Sequence, residues 1–232
     1  MKIAVVTDLH YSLVKNLLCP NREGERACEL LEGALERIAE IGADVLLVGG
    51  DLVNAPKDIA LLDTLAGILA KSPCPFIAIP GNHDPGPDVF YQHLQKAPEC
   101  LDVCGIRIIP FPEDAQTEGC NARRSAESLE RQRRLSDEAL PCVSFQHVPL
   151  FPSGSMDSPY HYDNVDEVYA SFGPNMALAV SGHLHTGRKP SFQPPFPSII
   201  VPALAERNYP FAVIELDGGG NLLSYSLHYV CV

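Results

Sequence analysis

The residues best suited to chemistry fall in five short runs. They are Asp8-Leu9-His10, Gly50-Asp51, Gly81-Asn82-His83-Asp84, His147 and Gly182-His183-Leu184-His185. Imidazole, carboxylate and carboxamide groups dominate and no thiolate is among them, a donor set that suits Zn, Fe or Mn. Taken singly, each run has a plain structural reading: a strand-end turn, a helix cap, an Asn-Gly-type turn or a satisfied core histidine. Taken together they offer ligands for two adjacent divalent ions. Two such ions held by Asp8 and Asp51 with a bridging hydroxide leave the site net positive. That charge would attract a phosphate even in a chain of formal net charge −12.

Each run follows a stretch that reads as a strand. Residues 2–7, 45–48, 76–79, 143–146 and 177–181 are short and apolar without alternation, the pattern of strands buried on both faces. Between the first of them lie helical periodicities. Residues 25–41 space Ala27, Leu30, Leu31, Ala34, Leu35, Ile38 and Ile41 on one face, with Gly42 as C-cap. Residues 57–70 repeat the pattern. The ligand-type side chains therefore leave the C-terminal edge of an α/β sheet, where ligands bind. If the chain stays extended there, Asp8 and His10 share a face, as do His183 and His185. The glycines before Asp51, Asn82 and His183 would let the backbone turn sharply. Pro87–Ala97 reads as a short helix, Val103–Pro110 as part of a hairpin and 123–139 as a charged helix. Beyond residue 187 only strands are expected, at 198–201, 211–216 and 222–230, forming a terminal antiparallel ribbon. The proline-rich stretches 149–159 and 190–197 read as ordered surface loops.

In this order, Asp-x-His, Gly-Asp, Gly-Asn-His-Asp, His and Gly-His-x-His resemble the calcineurin-like metallophosphoesterases, over nearly the whole chain. The resemblance implies a four-layer α/β/β/α sandwich with a mixed sheet, occupying residues 1–232 as one domain. It implies a dinuclear centre of Mn, Fe, Zn or a mixed pair. Asp8, His10, Asp51 and His185 would hold one ion, and Asp51, Asn82, His147 and His183 the other. His83 matches the family residue that contacts the substrate phosphate and assists the leaving group, and Asp84 the one that orients it. The implied reaction is hydrolysis of a phosphodiester or phosphomonoester by in-line attack of a metal-bridging hydroxide, with diesters favoured. Two branches of the family fit poorly. The phosphoprotein phosphatases carry Gly-Asp-x-Val-Asp-Arg-Gly, whereas here Asn54-Ala55-Pro56 follows Gly50-Asp51-Leu52-Val53. The purple acid phosphatases carry a tyrosine ligand that is missing after Gly50-Asp51-Leu52.

Composition bounds the rest. Hydrophobic residues make up 46% and charged residues 20%, which excludes disorder for most of the length. No apolar run reaches the ~18 residues of a membrane span, and the Met1-Lys2-Ile3 start lacks the apolar region of a secretory signal. The expected location is cytoplasmic, with the 8 cysteines as free thiols. The net charge counts against a nucleic-acid footprint. Arg123, Arg124, Arg131 and Arg134 share one arc of the 123–139 helix, and i,i+4 pairs with Glu127 and Glu130 would neutralise them. The expected partner is a small phosphate ester, nucleotides among the candidates, with no membrane. Arg188, His161 and Tyr209 are candidate substrate contacts on loops. The competing readings are a nuclease acting on polynucleotides and a non-catalytic module of the same fold.

Overall fold

The computed structural model describes residues 1–154, 160–192 and 195–231. In chain order the strands are β1 (Lys2–Val6), β2 (Val45–Val48), β3 (Phe76–Ala78), β4 (Leu101–Val103), β5 (Ile106–Pro110), β6 (Ala115–Gln116), β7 (Ala122–Arg123), β8 (Cys142–Phe145), β9 (Met176–Ser181), β10 (Arg188–Ser191), β11 (Ser198–Ile200), β12 (Pro210–Leu216) and β13 (Leu222–Tyr229). The helices are α1 (Ala27–Ile41), α2 (Leu61–Leu69), α3 (Pro87–Phe90), α4 (Ala126–Ser136) and α5 (Val165–Ala170). A mixed sheet runs β13-β12-β1-β2-β3 and a second runs β10-β11-β9-β8-β5-β4, with β6 and β7 forming a separate small ladder.

The absence of alternation in β1 and β2 has a direct cause. Ile3, Val5, Val45 and Leu47 point at the second sheet, where they pack with Ile108, Val143, Phe145 and Val180. Ala4, Val6, Leu46 and Val48 point the other way, against Leu30, Leu31 and Leu62 of α1 and α2. Both faces are covered, so every position must be apolar. On the far side of the second sheet, Leu135 of α4 packs on Ile109 and Cys142, and Val165 and Val168 of α5 pack on Ala179. The order is helix, sheet, sheet, helix. Each buried Leu, Ile or Val removes apolar surface worth about 1.5–3 kcal/mol.

Several boundaries differ from the sequence expectation. The 57–70 helix divides into a 3-10 turn at Pro56–Asp58 and α2. The Pro87–Ala97 helix stops at Phe90, and turns follow that bury Phe90 and Leu94. Strands after residue 187 do not form one ribbon. β11 runs parallel to β9 in the second sheet, and only β12 and β13 make the antiparallel pair, at the edge of the first. The 149–159 and 190–197 loops include residues 155–159 and 193–194, which lie outside the described residues.

The arginine segment is also rearranged. Ser125 caps α4 by accepting from the Ser128 amide, so Arg123 and Arg124 precede the helix. Arg131 pairs with Glu113, Arg134 with Glu99 and Arg133 with Glu130. These three charges are neutralised, two of them by residues distant in sequence instead of by Glu127. Arg124 is 1% exposed and does something else. Its guanidinium lies 3.4 Å from the Phe111 ring centre and donates to Asp114 Oδ2 at 2.7 Å and to Gln132. Asp114 also accepts from the Tyr162 hydroxyl at 2.5 Å. Removing one partner from such a pair leaves a buried charge uncompensated, at a cost of about 3–5 kcal/mol. Asp114→Asn is expected to lower the unfolding free energy by about 3 kcal/mol, measured by urea denaturation. A change below about 1 kcal/mol, the size of an ordinary hydrogen bond, would show that Gln132 and Phe111 alone hold the guanidinium.

Candidate metal centre

The strand tails carry the candidate ligands to one place. Past β1 and β2 the chains stay paired, Asp8 N donating to Gly50 O at 2.9 Å and His10 N to Asp51 O at 2.8 Å. Past β8 and β9, Gly182 N donates to His147 O at 3.0 Å. The first sheet thus delivers Asp8, His10 and Asp51, and the second delivers His147, His183 and His185.

The tails are not extended. Asp8, His10, Asp51 and His183 all adopt positive φ, between 46° and 66°. That left-handed conformation costs a non-glycine residue of order 1–3 kcal/mol and collects at functional sites. It corrects the expectation that neighbouring ligands share the face of an extended strand. Two of the glycines likewise serve a different end from turning. A Cβ on Gly81 would lie 2.3 Å from Asp51 Oδ1, and one on Gly182 would lie 2.1 Å from Thr7 Oγ1 and 2.7 Å from Asp8 Oδ2. They let the tails close in on the carboxylates.

Asp8 Oδ2 is saturated by the Thr7 hydroxyl at 2.6 Å and the His183 amide at 3.1 Å. Its Oδ1 is buried with no hydrogen-bond partner among the described residues. That atom lies 3.9 Å from His10 Nε2 and 3.5 Å from His185 Nε2. The two Nε2 atoms are 3.0 Å apart. Asp51 stands between two groups. Its Oδ2 is 3.6 Å from His10 Nε2, and its Oδ1 is 3.5 Å from His147 Nε2. On the far side, His147 Nε2 lies 3.1 Å from Asn82 Oδ1 and 3.2 Å from His183 Nδ1. Asp8, His10, Asp51 and His185 bring ligand atoms within 4.8 Å of one another, and so do Asp51, His147 and His183.

The outer ring nitrogens fix what faces inward. His147 Nδ1 donates to Gly49 O at 2.6 Å, and His185 Nδ1 to Glu206 Oε1 at 3.0 Å. Each Nε2 is thereby turned into the cluster, the atom that a metal-binding histidine offers once deprotonated. Burial alone would lower His147, but the adjoining Asp51 raises it to about 10, so without metal a proton on Nε2 faces Asn82 Oδ1 and Asp51 Oδ1, the place a cation would take. The charges agree. Burial pushes the Asp8 carboxyl up, the nearby Asp51 adding to it, and pushes His183 down to about 3. Burial would raise Asp51 too, but the adjoining His147 holds it well below the usual range. Two carboxylates so close and so dry repel each other. The donor set fits divalent cations.

His83 opens into the same recess, of about 260 Å³, which Arg22 and Tyr160 also line. The ring is oriented through Nδ1 by Asn54 O at 2.7 Å. Asp84 does not touch that ring's nitrogens. Its carboxylate accepts from the amides of Leu52 at 3.1 Å, Val53 at 3.0 Å and Gly81 at 2.8 Å. Asp84 therefore pins the loop that presents Asn54, and its hold on His83 is indirect. Three backbone donors satisfy a buried carboxylate better than one imidazole does.

Of the three candidate substrate contacts, none lines this recess. His161 is exposed, 3.8 Å from Asp163. Arg188 lies over the Phe151 ring at 5.2 Å. The Tyr209 hydroxyl accepts from Arg26 at 2.9 Å and donates to Glu23 at 2.5 Å. Arg22 and Glu206 were missed. Their loops, 11–22 and 203–210, carry no motif, and only position relative to the ligands singles them out.

A calcineurin-like phosphoesterase family model matches residues 1–187, and the chain belongs to that family. Among solved structures, it is similar to a dimetal phosphatase from Danio rerio (TM-score 0.78, 13% identity, covering 100% of this chain and 99% of that one). It is also similar to the protein TT1561 of Thermus thermophilus (TM-score 0.65, 16% identity, 99% of each chain). A purple acid phosphatase from yellow lupin seeds matches over 99% of this chain and 53% of its own (TM-score 0.62, 13% identity). Among curated proteins, none matches. Family and donor set agree on metal-dependent phosphoester hydrolysis. No helix among the described residues is long and apolar enough to cross a membrane.

Crowding at Gly182 gives a test of the geometry. Gly182→Ala is expected to destabilise the metal-free protein by about 1–3 kcal/mol through overpacking and to weaken manganese binding, because Asp8 must move. Unaltered binding measured by calorimetry would place Asp8 outside the ligand set.

Proposed function

We propose that the chain is a dinuclear metal-dependent phosphoesterase that favours diesters. The observation carrying this is Asp51, which turns one oxygen toward each ligand group. In this reading Asp8, His10, Asp51 and His185 hold one cation, and Asp51, Asn82, His147 and His183 hold the other. Imidazole and carboxylate together suit Mn, Fe or Zn. The bound pair would supply Lewis acidity and a water acidified toward neutral pH.

The remaining work falls to this chain's own groups. His83 donates Nδ1–H to Asn54 O, so Nε2 faces the recess. When protonated, it can give a proton to the leaving oxygen. Arg22 is the one lysine or arginine lining the recess among the described residues. Its guanidinium would bind a phosphate oxygen and set the ester's orientation. A second recess meets the first at Asn82, leaving room for two ester arms and supporting the diester preference. A nuclease is disfavoured because the arginines that would hold a polynucleotide backbone are consumed in ion pairs. A non-catalytic module would be expected to have lost ligands, and the sequence retains every one.

Manganese-reconstituted protein should hydrolyse an aryl phosphodiester. His83→Ala should retain both metals, assayed by elemental analysis, while kcat falls about 10²–10⁴-fold. A kcat within threefold of the native value would remove His83 from the reaction. Arg22→Met should raise KM about tenfold or more, because a hydrogen bond to a charged group is lost. An unchanged KM would take Arg22 off the substrate.

A further inference from the structure

Beside the metal recess lies a larger cavity of about 360 Å³, within the range of small-molecule sites. Asn82 lines both, and the His147 ring lines this one. The two spaces therefore meet at groups assigned above to the second cation. Pro80, Pro87, Pro112 and Val148 give the cavity apolar walls, rigid because proline fixes its own φ. Phe111 adds to them and is itself held beneath the Arg124 guanidinium.

The polar groups in the cavity are selective. Asn82, Gln116 and Asn121 supply carboxamides, and Asp84, Glu113 and Asp114 supply carboxylates. All three carboxylates are engaged, Asp84 by backbone amides, Glu113 by Arg131 and Ser128, and Asp114 by Arg124 and Tyr162. No lysine or arginine lines the cavity among the described residues. An anionic group entering it would meet carboxylates and no cation. Asn121 is already held by the His161 amide at 3.1 Å, and a purely aliphatic chain would cover the Gln116 carboxamide without pairing it, which costs free energy. A flat, uncharged ring bearing donors and acceptors meets both the apolar walls and the amides.

We propose that this cavity takes the uncharged heteroaromatic arm of the substrate, a ring of the nucleobase type, while the phosphate occupies the metal recess. The proposal rests on the phosphoesterase reading and narrows it to nucleoside esters with a single phosphate. A second phosphate on that arm would find no lysine or arginine among the described residues lining the cavity.

The test uses thymidine 5′-(p-nitrophenyl) phosphate as substrate, inorganic phosphate as an inhibitor confined to the metal recess, and thymidine alone as a ligand for metal-free protein. Ala115→Trp places an indole in the cavity, and Gln116→Ala removes one carboxamide without filling it. Neither residue belongs to the metal centre. Ala115→Trp should raise KM for the diester about tenfold or more and leave the inhibition constant of phosphate within twofold. Gln116→Ala should raise KM about two- to tenfold, as expected for one lost hydrogen bond. Thymidine should bind metal-free native protein, detected by saturation-transfer NMR, and fail to bind Ala115→Trp. Unchanged KM in both variants, or thymidine binding that survives the indole, overturns the proposal. If no ester is hydrolysed but thymidine binds natively and is lost in Ala115→Trp, the cavity assignment stands and the phosphoesterase reading fails.

Discussion

The structure turns on two carboxylates buried close together. Asp8 is 0% exposed and Asp51 is 2% exposed, and among the described residues neither has a lysine or arginine paired with it. Water cannot screen them, and without metal the compensating charge beside Asp51 is a proton on His147, which that carboxylate raises to about 10. Such a cluster is unfavourable by itself, through desolvation and like-charge repulsion. Divalent cations between the groups reverse both effects. The cost of the bare cluster and its affinity for cations have the same physical source.

The two-sheet sandwich makes this arrangement possible. Each sheet supplies half of the ligands, and the apolar layer between the sheets, including Val5, Leu47, Phe145 and Val180, sets how far apart the halves stand. The left-handed residues at the strand tails store strain that only a well-packed scaffold can hold. Gly81 and Gly182 permit approach distances that a Cβ would prevent. A sub-ångström shift in packing would therefore reach the site as misplaced ligand atoms, with no soft loop to absorb it. The Asp84 carboxylate extends the same rigidity to His83, through the amides of Leu52 and Val53 and the carbonyl of Asn54.

Much of this was legible in the sequence, for identifiable reasons. The strands announced themselves because both faces are buried, as Ala4 and Val5 show by packing in opposite directions. The ligands announced themselves because imidazole and carboxylate at successive strand ends have few other uses. What stayed hidden depends on backbone conformation or on contacts between distant segments. No residue type reveals that Asp8 and His10 turn left-handed. Nothing in the type of Asn54 marks its carbonyl as the partner of His83. The pairing of Arg131 with Glu113 and of Arg134 with Glu99 crosses from helix to loop, so helical spacing pointed to Glu127 instead. Arg22 sits in a loop without periodicity, and its place beside His185 follows only from the fold.

The most direct measurement is electron paramagnetic resonance of the protein titrated with manganese. If Asp51 joins two sites, two ions should bind per chain at the ~3.5–4 Å separation of dinuclear centres, and their spectrum should be exchange-coupled. Two independent six-line signals, or saturation at one ion per chain, would contradict a shared carboxylate.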